Sequence, residues 1–417
     1  MQETLTSSCQ QAASSDSTPV RYHALDALRA FALLLGIVFH SILSFVPGFT
    51  QWAVQDRDTS HWAGYFVIVC HSFRLEIFFL IAGFFAHLVF HARGFRAFAR
   101  DRAKRILLPF VVGWLLVAPM LTFVWVLGDG WQPGPAALIA ILDLLGRLAG
   151  LRPGLLGKSH LWFLYYLMLL YVGTFGLRAI FVRFVDSTGR KREWLDRRIK
   201  QLVHSRLAVL VLAAISSVFL WGMRGWGVDT PDRSLVPHVP TALLYGFIFC
   251  LGWMMHRQPD LLGAITPRWW AHLALGMLVS LPTAGVLAKA IADGRSDLKA
   301  LFVPLYAVMM WLLVFGVMGF FLRFFSRPST KWRYLADSSY WLYITHLPLV
   351  AFLQVVMAQV ALPWIVKLVV INLVTFPILL VSYHYVVRST FIGGTLNGKK
   401  HSYVSLRRVW LPRAAAD

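Results

Sequence analysis

Long apolar runs constrain this chain more than any other feature. Stretches such as 106-ILLPFVVGWLLVAPMLTFVWVL-127 and 366-VKLVVINLVTFPILLVSYHYVV-387 are long enough, as helices, to cross ~30 Å of hydrocarbon. Trp and Tyr gather at the ends of such runs, where their amphipathic rings suit the bilayer interface. Only 14% of residues are charged and 58% are hydrophobic, against roughly a quarter charged in a soluble domain. A bilayer can solvate such a chain and water cannot.

The runs begin near Leu28, Trp62, Ile106, Leu161, Leu207, Thr241, Trp270, Leu301, Tyr340 and Trp364. The fold expected is therefore all-α, a polytopic transmembrane helix bundle of about ten spans, with both termini on one side. The connections 91–105, 183–206 and 323–333, and the tail after Arg388, are strongly basic and fall on that side. The opposite connections, 48–62 and 224–240, are mixed in charge. This positive-inside asymmetry puts both termini in the cytoplasm. It also accounts for the formal charge of +21, so no nucleic-acid partner is expected.

Residues 1–24 read as a disordered polar cytoplasmic tail, 25–388 as the bundle and 389–417 as a basic cytoplasmic tail. No cleavable signal peptide is visible. The segment 136–151 is amphipathic and suits the outer interface. Cys9, Cys70 and Cys250 lie far apart and form neither a metal-type spacing nor a disulfide framework.

Ionisable groups inside spans are costly and usually face a cavity or pathway. Arg29 and His40, eleven positions apart in the first span, project from nearly the same helical face. They lie ~16 Å apart along the axis, so an arginine at the inner mouth puts the histidine near midplane. In the second span His71 and Arg74 share a face in the outer half, while Glu76 points elsewhere. His87 and His91 have i,i+4 spacing near the inner end, but no third ligand is evident and no metal is expected. Arg102 and Arg105 share a face at the inner mouth of the third span, where two guanidinium groups can grip phosphate. His160 opens the fourth span at the outer interface. In the ninth span His346 lies ~12 Å inside from Ser338, with Tyr343 on its face. A polar passage of this kind suits either a secondary transporter or an enzyme whose anionic donor enters from one side while its acceptor waits on the other.

These motifs resemble the membrane-bound acyltransferase-3 family. The family's Arg, ten residues, then His in the first span is met by Arg29 and His40, and its Arg-x-x-Arg by Arg102 and Arg105. FFLIAGFF, with Gly83, is similar to the family's FF-x-x-SGFF, except that Ala82 replaces the usual Ser at a position expected to serve packing. HSFR at 71–74, SHLWFL at 159–164 and YITHLPL in the ninth span are similar to the branch that succinylates osmoregulated periplasmic glucans. The likeness runs from about Leu25 to Tyr385.

The resemblance implies a multi-pass protein of the bacterial inner membrane that binds no resident cofactor. Its co-substrate would be an acyl-CoA, with succinyl the group moved in that branch and acetyl in relatives that modify other cell-surface glycans. Arg29, Arg102 and Arg105 would hold the donor's phosphates. His40 would serve as general base or as acyl carrier, with His346 as the other catalytic candidate. His71, Arg74, His160 and Tyr343 would line the acceptor or acyl-group path, Arg74 facing the free carboxylate of a succinyl group. The expected partners are the acyl-CoA donor, a periplasmic glucan, the lipid bilayer and the glucan-synthesis machinery.

Overall fold

The computed structural model describes residues 22–128, 160–231, 235–398 and 400–402. The segment 136–151, Cys9 and nearly all of the N-terminal tail lie outside them. Among the described residues there is no β-strand. This follows from solvation, because a helix satisfies its backbone groups internally where no water can.

The helices are α1 (His23–Ile42), α2 (His61–Arg102), α3 (Leu108–Gly128), α4 (Trp162–Ile180), α5 (Arg190–His204) and α6 (Ala208–Trp221). They continue as α7 (Val239–Arg257), α8 (Asp260–Ile265), α9 (Trp269–Ala292), α10 (Lys299–Phe324), α11 (Thr330–Met357), α12 (Trp364–Ser382) and α13 (Phe391–Asn397). Eight helical stretches are long and apolar enough to cross a membrane. One of them, His61–Gly128, has 68 residues, about three times the ~20 that one crossing needs. Its two ends meet the same loop. The N–H of Ser60 donates to Phe45 O (2.8 Å), and Gly128 packs on the carbonyl of Ala53. The stretch therefore crosses and returns, breaking at Gly94, whose φ of 74° is non-helical and is readily adopted by glycine. The pair α5 and α6, bent by 113°, brings the apolar stretches among the described residues to nine, and dividing His61–Gly128 at Gly94 gives ten segments, against about ten spans expected.

The amphipathic α5 lies between crossings. Its first turn is anchored by Asp186, whose carboxylate accepts from the N–H groups of Lys191 (3.0 Å) and Arg192 (2.9 Å), an N-terminal arrangement that satisfies orphan donors. Its side is tied to the end of α7 by the Arg257–Asp196 pair at 2.6 Å.

Helices α1 and α10 are the most enclosed, while α4 and α9 are largely exposed, as expected where lipid is the surrounding solvent. The crossing of α2 and α7 depends on small residues. A Cβ on Gly83 would strike Phe249 O, and one on Gly252 would strike Leu80 O, so the two backbones touch where side chains would hold them apart. Both described ends of the chain approach one face of the bundle: α1 begins there, and Gly398 lies against Arg105. The opposite face carries loop 46–60.

Candidate active site

Pro348 sits inside α11. It has no N–H to give the carbonyl of Ile344, and its ring crowds the preceding turn. Around this turn the carbonyl of Tyr343 accepts two side-chain hydrogen bonds, from His346 Nδ1 (2.8 Å) and from His160 Nε2 (2.8 Å). A carbonyl only accepts, so both of those nitrogens carry hydrogen. Neutral His346 then keeps its lone pair on Nε2 and neutral His160 on Nδ1, and both atoms are buried without a hydrogen-bond partner. The Tyr343 hydroxyl donates to His160 O (2.7 Å), closing α4 against α11.

His40 stands beside this pair. Its ring centroid is 5.2 Å from that of His346, and His346 is 4.9 Å from His160. Together with His71, Arg74 and Tyr343 these residues line one cavity of about 70 Å³. Six side chains singled out in four different spans thus converge. His160, expected at an interface, is 7% exposed. Arg74 is also 7% exposed; its guanidinium lies 4.4 Å from the Phe39 ring centroid, and its Nε has no hydrogen-bond partner. His71 reaches toward Thr230 (3.4 Å). Glu76 is fully buried away from this cavity, with neither carboxylate oxygen hydrogen-bonded.

The arginines line a second cavity, of about 220 Å³. Arg29 comes from α1, Arg102 from the end of α2, and Arg105 from the π-helical turn Ala103–Leu107. Each is held by a carboxylate: Arg29 by Asp26 (3.7 Å), Arg105 by Asp101 (3.0 Å) and Arg102 by Asp101 (3.8 Å). Arg102 also packs over the rings of Phe98 and Tyr171, 5.0 and 5.5 Å from their centroids. Leu33, Phe78, Phe163 and Tyr343 line both cavities. The arginine cavity and the histidine cavity are therefore back to back, separated by shared side chains.

Several lining groups escaped sequence reading. Asp337 and Asn397 line the arginine cavity, and α13, in the segment read as tail, is what brings Asn397 there. Ala82 lies in the same wall, so the departure from the family's Ser falls on a cavity, while the neighbouring Gly83 does the packing. Gln354, at 1% exposure, and Trp52 hold His40. An amide inside an apolar span was the available signal for Gln354; nothing in the sequence marked Trp52. His87 hydrogen-bonds His256 ring to ring (Nδ1 to Nδ1, 2.7 Å). Among the described residues no group of three or more His, Cys, Asp or Glu side chains is placed to hold a metal.

Comparison with known proteins agrees with this arrangement in extent. The glucans biosynthesis protein C of Salmonella agona (strain SL483) is 25% identical over 347 residues, covering 80% of this chain and 83% of its own length. The proteins of the same name from Salmonella paratyphi A (strain ATCC 9150 / SARB42) and Salmonella heidelberg (strain SL476) are also 25% identical, with the same coverage. No solved structure matches the chain. The family described as an acyltransferase domain matches residues 22–384, from the first turn of α1 to beyond α12 and across both cavities, so this chain belongs to the acyltransferase-3 family and is a membrane acyltransferase.

Proposed function

We propose that the protein moves a succinyl group from cytoplasmic succinyl-CoA to hydroxyls of a periplasmic glucan. The observation that carries this reading is the pair of adjoining cavities, one lined by three arginines and the other by four histidines. Coenzyme A bears several phosphates, and guanidinium groups match phosphate oxygens in charge and fork geometry. The basic connections lie on the arginine face, and the positive-inside bias supports reading that face, with both termini, as cytoplasmic. The loop 46–60 face is then periplasmic, in a bacterial inner membrane.

The donor binds with its phosphates at Arg29, Arg102 and Arg105, and its extended arm carries the thioester past the shared wall to His40. A glucan hydroxyl enters from the opposite face. Neutral His40 takes the hydroxyl proton as the oxygen attacks the thioester carbonyl. Collapse of the tetrahedral intermediate breaks the C–S bond. The departing thiolate takes the proton back from the imidazolium, leaving an ester and free coenzyme A. His346, with its tautomer set by the Tyr343 carbonyl, orients His40 or relays the proton, and His71 and His160 line the acceptor path.

Arg74 supports succinyl over acetyl. Among the described residues no carboxylate lies within ion-pairing distance of its guanidinium, buried Glu76 acting on it only from farther off, and Arg74 is buried and lines the same cavity as His40. A buried cation is costly without a counter-charge, and the free carboxylate of a dicarboxylic acyl group supplies one. The name shared by the Salmonella relatives supports a glucan as acceptor, and the glucan-synthesis machinery as the partner that presents it.

The test is transfer of labelled acyl groups to glucan by purified protein, with coenzyme A binding measured alongside. His40→Gln should bind donor and fail to transfer. Near-normal turnover by that variant would remove His40 from the chemistry and make His346 the base to test next.

A further inference from the structure

The imidazole of His40, a half-buried residue, is held differently from those of its two neighbours. His346 and His160 are each held by a hydrogen bond to a carbonyl. Among the described residues the His40 ring has no hydrogen-bond partner, and its Nδ1 is buried. Its plane is set by ring contacts, the flattest being Trp52, stacked at 5.6 Å between centroids with 9° between planes. Trp52 belongs to loop 46–60 and to no helix, so something else must fix it. Its indole N–H donates to Gln354 Oε1 (2.8 Å), and its edge meets the Trp125 ring at 5.4 Å.

The other end of the Gln354 amide donates to His40 O (3.0 Å), Ser41 O (2.9 Å) and Ser44 Oγ (3.1 Å). These carbonyls belong to the last turn of α1, where helical partners run out. A single buried side chain thus grips both the backbone of His40 and the ring stacked on its imidazole. Packing alone does not explain an amide here, because an aliphatic residue of similar length would fill the space at no cost in buried polar groups. The loop itself is pinned by the Asp56–Lys367 pair, with both carboxylate oxygens 2.8 Å from Nζ, and by Asp56 N–H to Ser44 O (2.9 Å).

We propose that Trp52 and Gln354 are positioning residues for His40, clamping the imidazole plane to the end of α1 so that its nitrogens face the reacting hydroxyl. This rests on the reading of His40 as the base. Misplacing a reacting group by about 1 Å can cost ~10²-fold in rate, and that loss should fall on turnover, since neither residue lines the arginine cavity.

The experiment measures kcat, KM for the acyl donor and coenzyme A affinity in the full-length protein carrying Trp52→Ala, Trp52→Phe, Gln354→Met or Trp52→Ala with Gln354→Met. Trp52→Ala and Gln354→Met should each lower kcat by ~10- to 100-fold with donor KM and affinity unchanged. Trp52→Phe, which keeps a stacking face, should recover most of the loss. The double variant should be no slower than Trp52→Ala, because both substitutions disable one clamp. Multiplying losses, or a parallel fall in kcat and donor affinity, would reduce the pair to ordinary packing and overturn the proposal. So would normal kcat in both single variants. If His40→Gln is inactive while Trp52→Ala turns over normally, the positioning role alone fails. If His40→Gln is active, the base assignment fails first.

Discussion

The two cavities are built by opposite means. Around the histidines, side chains are tied to backbone: Tyr343 O holds two imidazoles, and Gln354 holds the end of α1. Around the arginines, side chains are tied to other side chains, through Asp26 and Asp101, and remain partly open, with Arg29 40% and Arg105 33% exposed. A carbonyl within a helix cannot leave its place, whereas a carboxylate partner can be displaced by phosphate. Under the proposed function, the histidine cavity is preorganised for chemistry, and the arginine cavity is arranged to exchange one anion for another.

That contrast can be broken most directly at His40. His40→Ala and His40→Gln should lower acyl transfer by ~10²–10⁴-fold, the span a positioned base contributes, while coenzyme A binding stays within about twofold of wild type. A large loss of donor binding in His40→Gln would merge the two cavities into one functional unit.

The rigidity of the loop over the histidines is tested at its buried ion pair. Asp56 and Lys367 are 4% and 2% exposed, so Lys367→Met strands a carboxylate and should cost ~3–5 kcal/mol. Adding Asp56→Asn should restore much of it. Thermal unfolding in detergent provides the measurement, and an unchanged midpoint for Lys367→Met would mean the loop is held elsewhere.

The arginine cavity should fail in binding and keep its chemistry. With charge-assisted contacts worth ~1.5–3 kcal/mol each, Arg102→Ala combined with Arg105→Ala should weaken coenzyme A binding roughly a hundredfold or more, with the fold retained. Equal affinity in the double variant would leave these arginines to membrane topology alone. Arg74→Gln should sharpen the contrast from the other side, lowering transfer of succinyl by about tenfold or more relative to acetyl. An unchanged ratio of the two donors would detach Arg74 from acyl selection.

The smallest effect is that of salt. Screening acts on exposed charges far more than on buried ones, with a Debye length of ~10 Å at 0.1 M. Donor affinity should fall several-fold as ionic strength rises, while turnover at saturating donor stays level. A drop in saturated turnover would place an exposed charge in the chemical step.

The apolar spans, their order and the residues unsuited to lipid were legible in the chain because the bilayer imposes a single demand on every span: apolar length, with any charge needing a reason. Arg102 could be paired with Arg105, and His40 placed at depth on the face of Arg29, from helical geometry alone, whereas grouping Arg29 with the other two arginines rested on the family resemblance. Local periodicity carries no information about which spans adjoin. The meeting of His40 with His346, across 306 positions, depends on how α1 packs along α11. Whether His346 keeps its lone pair on Nε2 depends on a carbonyl beside Pro348. Trp52 had no signature at all, since a tryptophan in a loop between spans reads as an interfacial anchor, and only the buried amide of Gln354, 302 positions away, brings it onto the imidazole. Apolar length is a property of consecutive residues and can be counted along the chain; a cavity is a property of surfaces brought together by packing, and so the sequence determined the spans while the tertiary structure decided the site.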